Sequence, residues 1–127
     1  MTKWLLIAAG GAFGSVLRYA VQGWVQRLSN GSFPIGTLVV NVVGCALLGL
    51  LAGMFAAPTL IREEYRVGLT VGILGGFTTF STFGLETFTL ANDGQLRWAL
   101  ANVVLSCGLG FLAVWGGYRL AERWFGV

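Results

Sequence analysis

Residues 28–61 of the chain read LSNGSFPIGTLVVNVVGCALLGLLAGMFAAPTLI and contain no charged side chain. A helix that spans a bilayer needs about 20 apolar residues, so this stretch predicts a membrane span over about residues 36–57. Charged residues divide the rest of the chain into three further apolar segments, at about residues 4–24, 67–90 and 98–118. The segments between the spans are short and contain turn-forming residues, among them Ser29-Asn30-Gly31, Pro58 and Asn92-Asp93-Gly94. The sequence therefore predicts an all-α integral membrane protein, a single four-helix unit that takes up all 127 residues.

The composition indicates the same class of protein. Of 127 residues, 56% are hydrophobic and only 10% are charged, and the mean hydropathy is +0.78. A soluble domain carries about 25% charged residues, so a chain this short could not cover its surface with polar groups. The sequence contains no histidine, which excludes histidine-based catalysis and the common zinc sites, and we expect no enzyme activity. The net charge of +3 is spread over isolated residues, which gives no reason to expect nucleic-acid binding.

Glycine and cysteine positions predict packing rather than chemistry. Glycines spaced by four residues fall on one face of a helix, where they let the backbones of two membrane helices approach closely. There are three such sets: Gly10/Gly14, Gly49/Gly53 and Gly68/Gly72/Gly76. The first set favours a retained first span, although Lys3 and the apolar residues after it also resemble a short signal peptide. Cys45 and Cys107 match no metal or redox spacing, and we expect two packing residues without a disulfide.

The distribution of positive charge leaves the orientation of the four spans open. Both termini and the second loop lie on one side, with five Lys and Arg residues, and the opposite side has three. So small a difference hardly selects an orientation by the positive-inside rule. It is typical of a protein inserted in both orientations, and chance also produces it. Because four helices are too few to enclose an aqueous pathway, we expect an oligomer, and insertion in both orientations would make an antiparallel homodimer.

The third span contains the sequence GGFTTFSTFG at residues 75–84. Paired glycines and four hydroxyl residues form a poor continuous helix, and irregular backbone at membrane depth is tolerated only inside protein or beside a cavity. We therefore predict a broken or distorted helix near Gly75 to Ser81. Backbone carbonyls freed by the break could coordinate a small cation. The alternative is that the hydroxyls bond back to their own helix or link two helices.

Aromatic and polar side chains near this motif fit either an anion path or ordinary packing. Phe80 and Phe83 share a helix face, with Thr79, Thr82 and Glu86 on a neighbouring face. The edge of a phenyl ring is positive, so ring edges along a narrow path would favour an anion. Aromatic pairs at this spacing nevertheless usually belong to a packed core.

Other polar residues within the spans leave the same two interpretations open. The amide of Asn41, deep in the second span, can donate to an anion or form an interhelical hydrogen bond. Asn102 and Ser106 in the fourth span share a face and extend either interpretation. Arg18 and Glu86 are the charges within the spans, and they could pair with each other or mark the two ends of a conduction path.

Three segments together resemble a known family. They are GTLVVN at residues 36–41, GGFTTFSTF at residues 75–83 and Leu17-Arg18. Their order, the four spans and the chain length resemble the small bacterial fluoride channels, the Fluc or CrcB family, over the whole chain. The third-span segment is the specific part of this match, because GTLVVN alone would be a weaker signal.

The resemblance implies a passive fluoride channel of the bacterial inner membrane, formed by an antiparallel, dual-topology homodimer with two pores. Fluoride would pass the amide of Asn41 and the ring edges of Phe80 and Phe83. Backbone carbonyls of Gly75 and Thr78 from both subunits would hold a central sodium ion as a structural cofactor. The resemblance also assigns further residues to the polar track or its ends: Arg18, Thr37, Thr79, Ser81, Thr82, Glu86, Asn102 and Ser106. Gly110 offers no hydroxyl where some relatives have one, so the outer end of the track is not assigned.

Two other functions fit part of the sequence. A small four-helix proton-coupled exporter would share the size and the weak charge bias, but it needs a titratable carboxylate at its binding site. Here the first helix carries Arg18, and the carboxylate within the spans, Glu86, lies near a helix end. A non-transporting assembly subunit would need only the glycine faces, and it would leave the polar third span unexplained.

Overall fold

A computed structural model describes residues 1–29, 31–56 and 61–126. In this part of the chain, four helical segments are long and apolar enough to cross a membrane. Three of them are single helices: α1 (Thr2–Leu28), α2 (Ile35–Ala56) and α6 (Leu96–Phe125). The remaining one, the third segment, covers Glu63–Asn92 and contains α3 (Glu63–Val67), α4 (Gly75–Phe77) and α5 (Phe80–Asn92). The predicted all-α, four-span fold is confirmed. Asn30, Pro58 and the expected end of the second span at residue 57 lie outside the described residues.

The third segment changes its backbone geometry twice. Residues Gly68–Leu74, between α3 and α4, form π-helical turns. π-Helical turns are rare in proteins, and those that occur are often part of a functional site. The helix is then interrupted between Phe77 and Phe80, and its two halves are separate elements.

Glycines bring α1 against the first half of the third segment. A Cβ atom built on Gly10 would lie 2.9 Å from the carbonyl oxygen of Gly68, and one built on Gly76 would lie 2.6 Å from that of Gly11. A Cβ on Gly14 would overlap the carbonyl oxygen of Ile73. The two backbones are thus in direct contact, which confirms the expected role of these glycines in packing.

Glycines also bring α2 against α6. A Cβ atom on Gly49 would overlap the carbonyl oxygen of Val114, and one on Gly117 would overlap that of Ala46. One turn further along α2, Gly53 is buried against α6 as well. Tight packing of these two helices fixes the face that α2 presents to the break in the third segment.

The outer surface of the four segments is strongly apolar. Large hydrophobic side chains such as Phe13, Val104 and Phe111 are more than half exposed on the single chain. A soluble monomer rarely exposes a continuous apolar surface of this kind. Lipid tails and a second protein surface are the environments that suit it.

Candidate functional site

The break in the third segment lies at two threonines. Thr78 and Thr79 are extended, with φ/ψ of −82°/157° and −150°/115°, between the end of α4 at Phe77 and the start of α5 at Phe80. Thr79 caps α5, because its hydroxyl oxygen accepts a hydrogen bond from the Thr82 amide at 3.2 Å. The expected break near Gly75 to Ser81 is confirmed.

Asn41 of α2 holds the break from the side. Its Oδ1 accepts from the backbone amide of Thr79 at 2.8 Å, and its Nδ2 donates to the carbonyl oxygen of the same residue at 3.0 Å. One side chain thus replaces both hydrogen bonds that the helix would have supplied to Thr79. Of the two interpretations of Asn41, the interhelical hydrogen bond is present. Because an amide carries two N–H donors, one of them is left for another acceptor.

The carbonyls of Gly75 and Thr78 are among those that the break releases from their helical partners. In a continuous helix the carbonyl of Gly75 would accept from the Thr79 amide, but that amide donates to Asn41. The carbonyl of Thr78 would likewise accept from the Thr82 amide, which donates to the Thr79 hydroxyl. These carbonyls lie at the C-terminal end of a half-helix, where partial charge is negative, so they fit a hard cation such as sodium.

The hydroxyls of the motif follow two different patterns. The Thr78 hydroxyl bonds back to its own helix, donating to the carbonyl of Leu74 at 3.0 Å. By contrast, the Thr79 hydroxyl donates to the Thr82 Oγ1 atom at 2.9 Å and lies 3.4 Å from the Ser81 Oγ atom. Of the expected polar face of Thr79, Thr82 and Glu86, the two threonines cluster with Ser81, whereas Glu86 accepts from Thr37 instead. Thr78 contributes its backbone rather than its hydroxyl.

The two phenylalanines are in contact beside this cluster. Their ring centroids are 5.5 Å apart and the rings are tilted by 46°. Phe83 is buried, whereas Phe80 is 82% exposed on the single chain. A groove of about 300 Å³ passes both rings, and it is also lined by Asn41, Cys45, Gly75, Thr78, Thr79 and Ser106. The structure thus brings five of the eleven predicted path residues together in one cavity: Asn41, Thr79, Phe80, Phe83 and Ser106.

A chain of hydrogen bonds connects α6 to α5. The Ser106 hydroxyl donates to the Asn102 Oδ1 atom at 3.3 Å, and the Asn102 amide donates to the Thr87 hydroxyl at 2.9 Å. Thr87 in turn donates to the carbonyl of Phe83 at 2.7 Å. Asn102 is only 1% exposed, so its amide is an internal link rather than a groove-lining donor. Sequence reasoning missed Thr87, whose signal was its spacing of four residues from Phe83.

The outer end of the predicted track contains a thiol next to a glycine. Cys45 and Cys107 are both free, as expected. A Cβ atom on Gly110 would lie 3.6 Å from the Cys45 sulfur, which is ordinary van der Waals contact. Cys45 therefore occupies the side of α2 that faces the position without a hydroxyl.

The Glu86 carboxylate is hydrogen-bonded to a threonine and not paired with an arginine. Its Oε1 accepts from the Thr37 hydroxyl at 2.7 Å, and the Thr37 oxygen accepts from the Gln22 amide at 2.9 Å. The Glu86 Oε2 atom is buried and has no hydrogen-bond partner among the described residues. Among the described residues Arg18 forms no salt bridge, so the suggested ion pair between Arg18 and Glu86 is not found.

Glu86 also lines a second cavity, of about 740 Å³, at one end of the helices. Side chains of α1 and of the connections at that end surround it, including Gln22, Gln26, Arg27, Asp93 and Gln95. Sequence reasoning missed Gln22 and Gln26 of α1, because single amides on a helix face have no distinctive spacing. Of the predicted residues, Glu86 and its partner Thr37 are placed at this end, and neither lines the groove of Asn41.

Comparison with known proteins identifies the family. Residues 5–118 match the family model described as CrcB-like protein, Camphor Resistance (CrcB). The chain belongs to this family. It is 47% identical over 123 residues, covering 97% of this chain and 99% of the relative, to the Fluoride-specific ion channel FluC of Geobacter sulfurreducens. This CrcB-family chain is also 44% identical over 118 residues to FluC 2 of Symbiobacterium thermophilum, covering 93% of this chain and 96% of that protein.

A relative from Rhizobium meliloti, also called Fluoride-specific ion channel FluC, is 47% identical over 120 residues, covering 94% of this chain and 96% of the relative. The similarity in all three cases extends over nearly the whole of both proteins. Together with the four apolar helices, family membership makes the chain a multi-pass bacterial membrane protein and not an enzyme.

Proposed function

We propose that this chain is the subunit of a fluoride-specific ion channel that lets fluoride leave the cytoplasm passively. The observation that carries the proposal is the full-length similarity to relatives that bear this name, at 47% identity over 97% of the chain. The geometry supports it, because one groove is lined by the helix break, which Asn41 holds with two hydrogen bonds, and by the rings of Phe80 and Phe83.

The groove supplies the kind of groups that fluoride requires. Fluoride is small and strongly hydrated, so a selective path has to replace water with several hydrogen-bond donors at close range. The second N–H of Asn41 and the positive edges of Phe80 and Phe83 are such groups. None of them carries a full positive charge, which keeps binding weak enough for the ion to leave again.

The driving force follows from the charge of the ion. Fluoride enters cells as neutral HF in acid and dissociates at cytoplasmic pH. A membrane potential that is negative inside then favours its exit by about 2.3 kcal/mol per 100 mV, without any coupled ion. A passive path is therefore sufficient for export through the inner membrane.

The site is consistent with a homodimer as the working unit. Gly75, Phe80 and Ser81 are exposed on the single chain, although they belong to an interrupted helix at membrane depth. Irregular backbone in that position has to be covered by protein or border an aqueous cavity. A second copy would cover it, and the weak charge bias allows that copy to have the opposite orientation. Two copies would contain two grooves and thus two pores.

A central sodium ion fits the same arrangement. Its ligands would be the freed carbonyls of Gly75 and Thr78 from both subunits. When bound, the ion would neutralise the negative ends of two half-helices and hold the two breaks together. Its role would be structural, because an anion pathway does not require the cation to move.

Reconstitution of the purified protein into liposomes tests the proposal. Fluoride and chloride efflux would be followed with two electrodes after addition of valinomycin, with protein-free liposomes as the control. We expect rapid, valinomycin-dependent fluoride loss while chloride is retained. Equal release of both anions, or fluoride release that requires a proton gradient, would contradict a fluoride-specific passive channel.

A further inference from the structure

The hydroxyl of Thr37 behaves differently from those of four other threonines in the helical segments. Each of those four donates to the backbone carbonyl of the residue four positions earlier, at distances of 2.7–3.0 Å: Thr70 to Arg66, Thr78 to Leu74, Thr87 to Phe83 and Thr89 to Leu85. This is the ordinary bond of a threonine within a helix. Thr37 instead donates across to another segment, to the Glu86 carboxylate at 2.7 Å.

Two glutamines of α1 explain the difference. The carbonyl that Thr37 would use belongs to Phe33, and it already accepts from the Gln26 side chain at 3.1 Å and from the Ile35 amide at 2.8 Å. Both lone pairs of that oxygen are therefore engaged. Gln22, one turn earlier on α1, donates to the Thr37 hydroxyl oxygen at 2.9 Å. Because the Thr37 oxygen accepts a hydrogen bond from Gln22 on one side, the hydroxyl proton of Thr37 is directed to the other side, towards Glu86.

We propose that Gln22 and Gln26 are positioning residues that direct the Thr37 proton to Glu86 and thereby fix the carboxylate at the end of the fluoride path. The proposal rests on the proposed function. Carboxylate oxygens and fluoride accept hydrogen bonds from the same kinds of donor, so a free carboxylate near the path would compete with the ion. A carboxylate that is held by Thr37 leaves the donors at that end of the path available to fluoride.

The position of the three side chains supports this role. Gln22, Gln26 and Glu86 line the same cavity of about 740 Å³ at the end of the helices. Thr37 is only 2% exposed, so water has little access to replace its hydrogen bonds. Gln26 is also tied to α2, because its Oε1 accepts from the Gly36 amide at 3.1 Å. Gln22 is therefore the better residue to vary.

The first test is Gln22→Met, which keeps the length of the side chain and removes its amide. Loss of one directing hydrogen bond is expected to reduce fluoride efflux from liposomes about two- to tenfold. Gln95→Met is the matched control, because Gln95 lines the same cavity and accepts from Ser32 rather than contacting Thr37. This control is expected to show wild-type efflux.

The second test asks whether Gln22 acts through Thr37. In a Thr37→Val background, which has no hydroxyl to direct, Gln22→Met is expected to cause no further loss. In a Thr37→Ser background, which keeps the hydroxyl, the loss caused by Gln22→Met is expected to return. A merely structural role for Gln22 would give the same fold loss in both backgrounds and would overturn the proposal.

Folding of the variants is checked by size-exclusion chromatography. If Gln22→Met does not fold, Gln22→Glu, which has nearly the same shape but lacks the amide donors, takes its place in the comparison. Failure of both to fold would show that Gln22 is structural and would overturn the proposal. Selective fluoride efflux in the wild type with no effect of Gln22→Met would refute positioning alone. A wild type without fluoride efflux would refute the proposed function and this inference with it.

Discussion

The contact between Asn41 and Thr79 leads to a prediction whose size follows from the structure. Asn41→Ala removes the two hydrogen bonds, at 2.8 Å and 3.0 Å, that hold the backbone of Thr79. Thr79 is 5% exposed, so its amide and carbonyl would be left without partners in a buried position. Each buried group without a partner costs about 1–3 kcal/mol, and the two together cost about 2–6 kcal/mol. The break should then lose its extended form or become mobile.

Two measurements on the purified variant check this estimate. A cost of about 2 kcal/mol, the lower limit, corresponds to more than a tenfold change in an equilibrium. Fluoride efflux of Asn41→Ala should therefore fall at least about tenfold, and its thermal unfolding in detergent should begin at a lower temperature. Asn92→Ala makes the same chemical change at an exposed position at the end of α5 and should leave both quantities unchanged. Wild-type efflux together with wild-type stability in Asn41→Ala would refute the role of this contact.

Three further predictions concern the aromatic pair, the glycine packing and the sodium ion. Phe80→Ile should strongly reduce fluoride efflux while the protein still folds, because this ring is largely exposed on the single chain and contributes little to its packing; normal efflux would remove Phe80 from the path. Gly14→Ala should destabilise the protein by about 1–3 kcal/mol in thermal or denaturant unfolding, because its Cβ would overlap the Ile73 carbonyl, whereas Gly23→Ala, with open space around it, should not; equal effects would refute the packing argument. Replacing sodium by N-methylglucamine should shift size-exclusion elution from dimer towards monomer, and a dimer indifferent to sodium would count against the carbonyl site.

The sequence was sufficient to predict the fold and the interrupted helix. Spans are a property of local composition, since 34 consecutive residues between Arg27 and Arg62 carry no charge. The break is also local, because glycines and hydroxyl residues at 75–82 weaken a helix at that place whatever surrounds it. The glycine faces were predictable for the same reason, as spacing by four residues already places them together.

The partners of polar side chains were not predictable, because they depend on how helices rotate against one another. Asn41 had two possible roles in the sequence, and only the packing of α2 on the third segment shows that it binds Thr79. Pairing of Arg18 with Glu86 was a reasonable possibility from charge alone. In the structure Glu86 accepts a hydrogen bond from Thr37 instead, because the two side chains face each other between α2 and α5.

The proposed pathway is built from these contacts. The groove combines Asn41, Phe80, Phe83 and Ser106, as the family resemblance implies. Asn102 does not line the groove, and it links Ser106 to Thr87 through hydrogen bonds. Variants of Asn102 should therefore act on the position of Ser106 rather than by removing a donor to the ion.

The most direct test of the central claim is an electrical recording from the purified protein in a planar bilayer. Fluoride is placed on one side and chloride on the other at equal concentration and pH, and the zero-current potential is measured. A fluoride-selective passive channel predicts a large potential of the sign that fluoride flow requires, unchanged when a pH gradient is imposed. A potential near zero, or one that follows the pH gradient, would contradict the account.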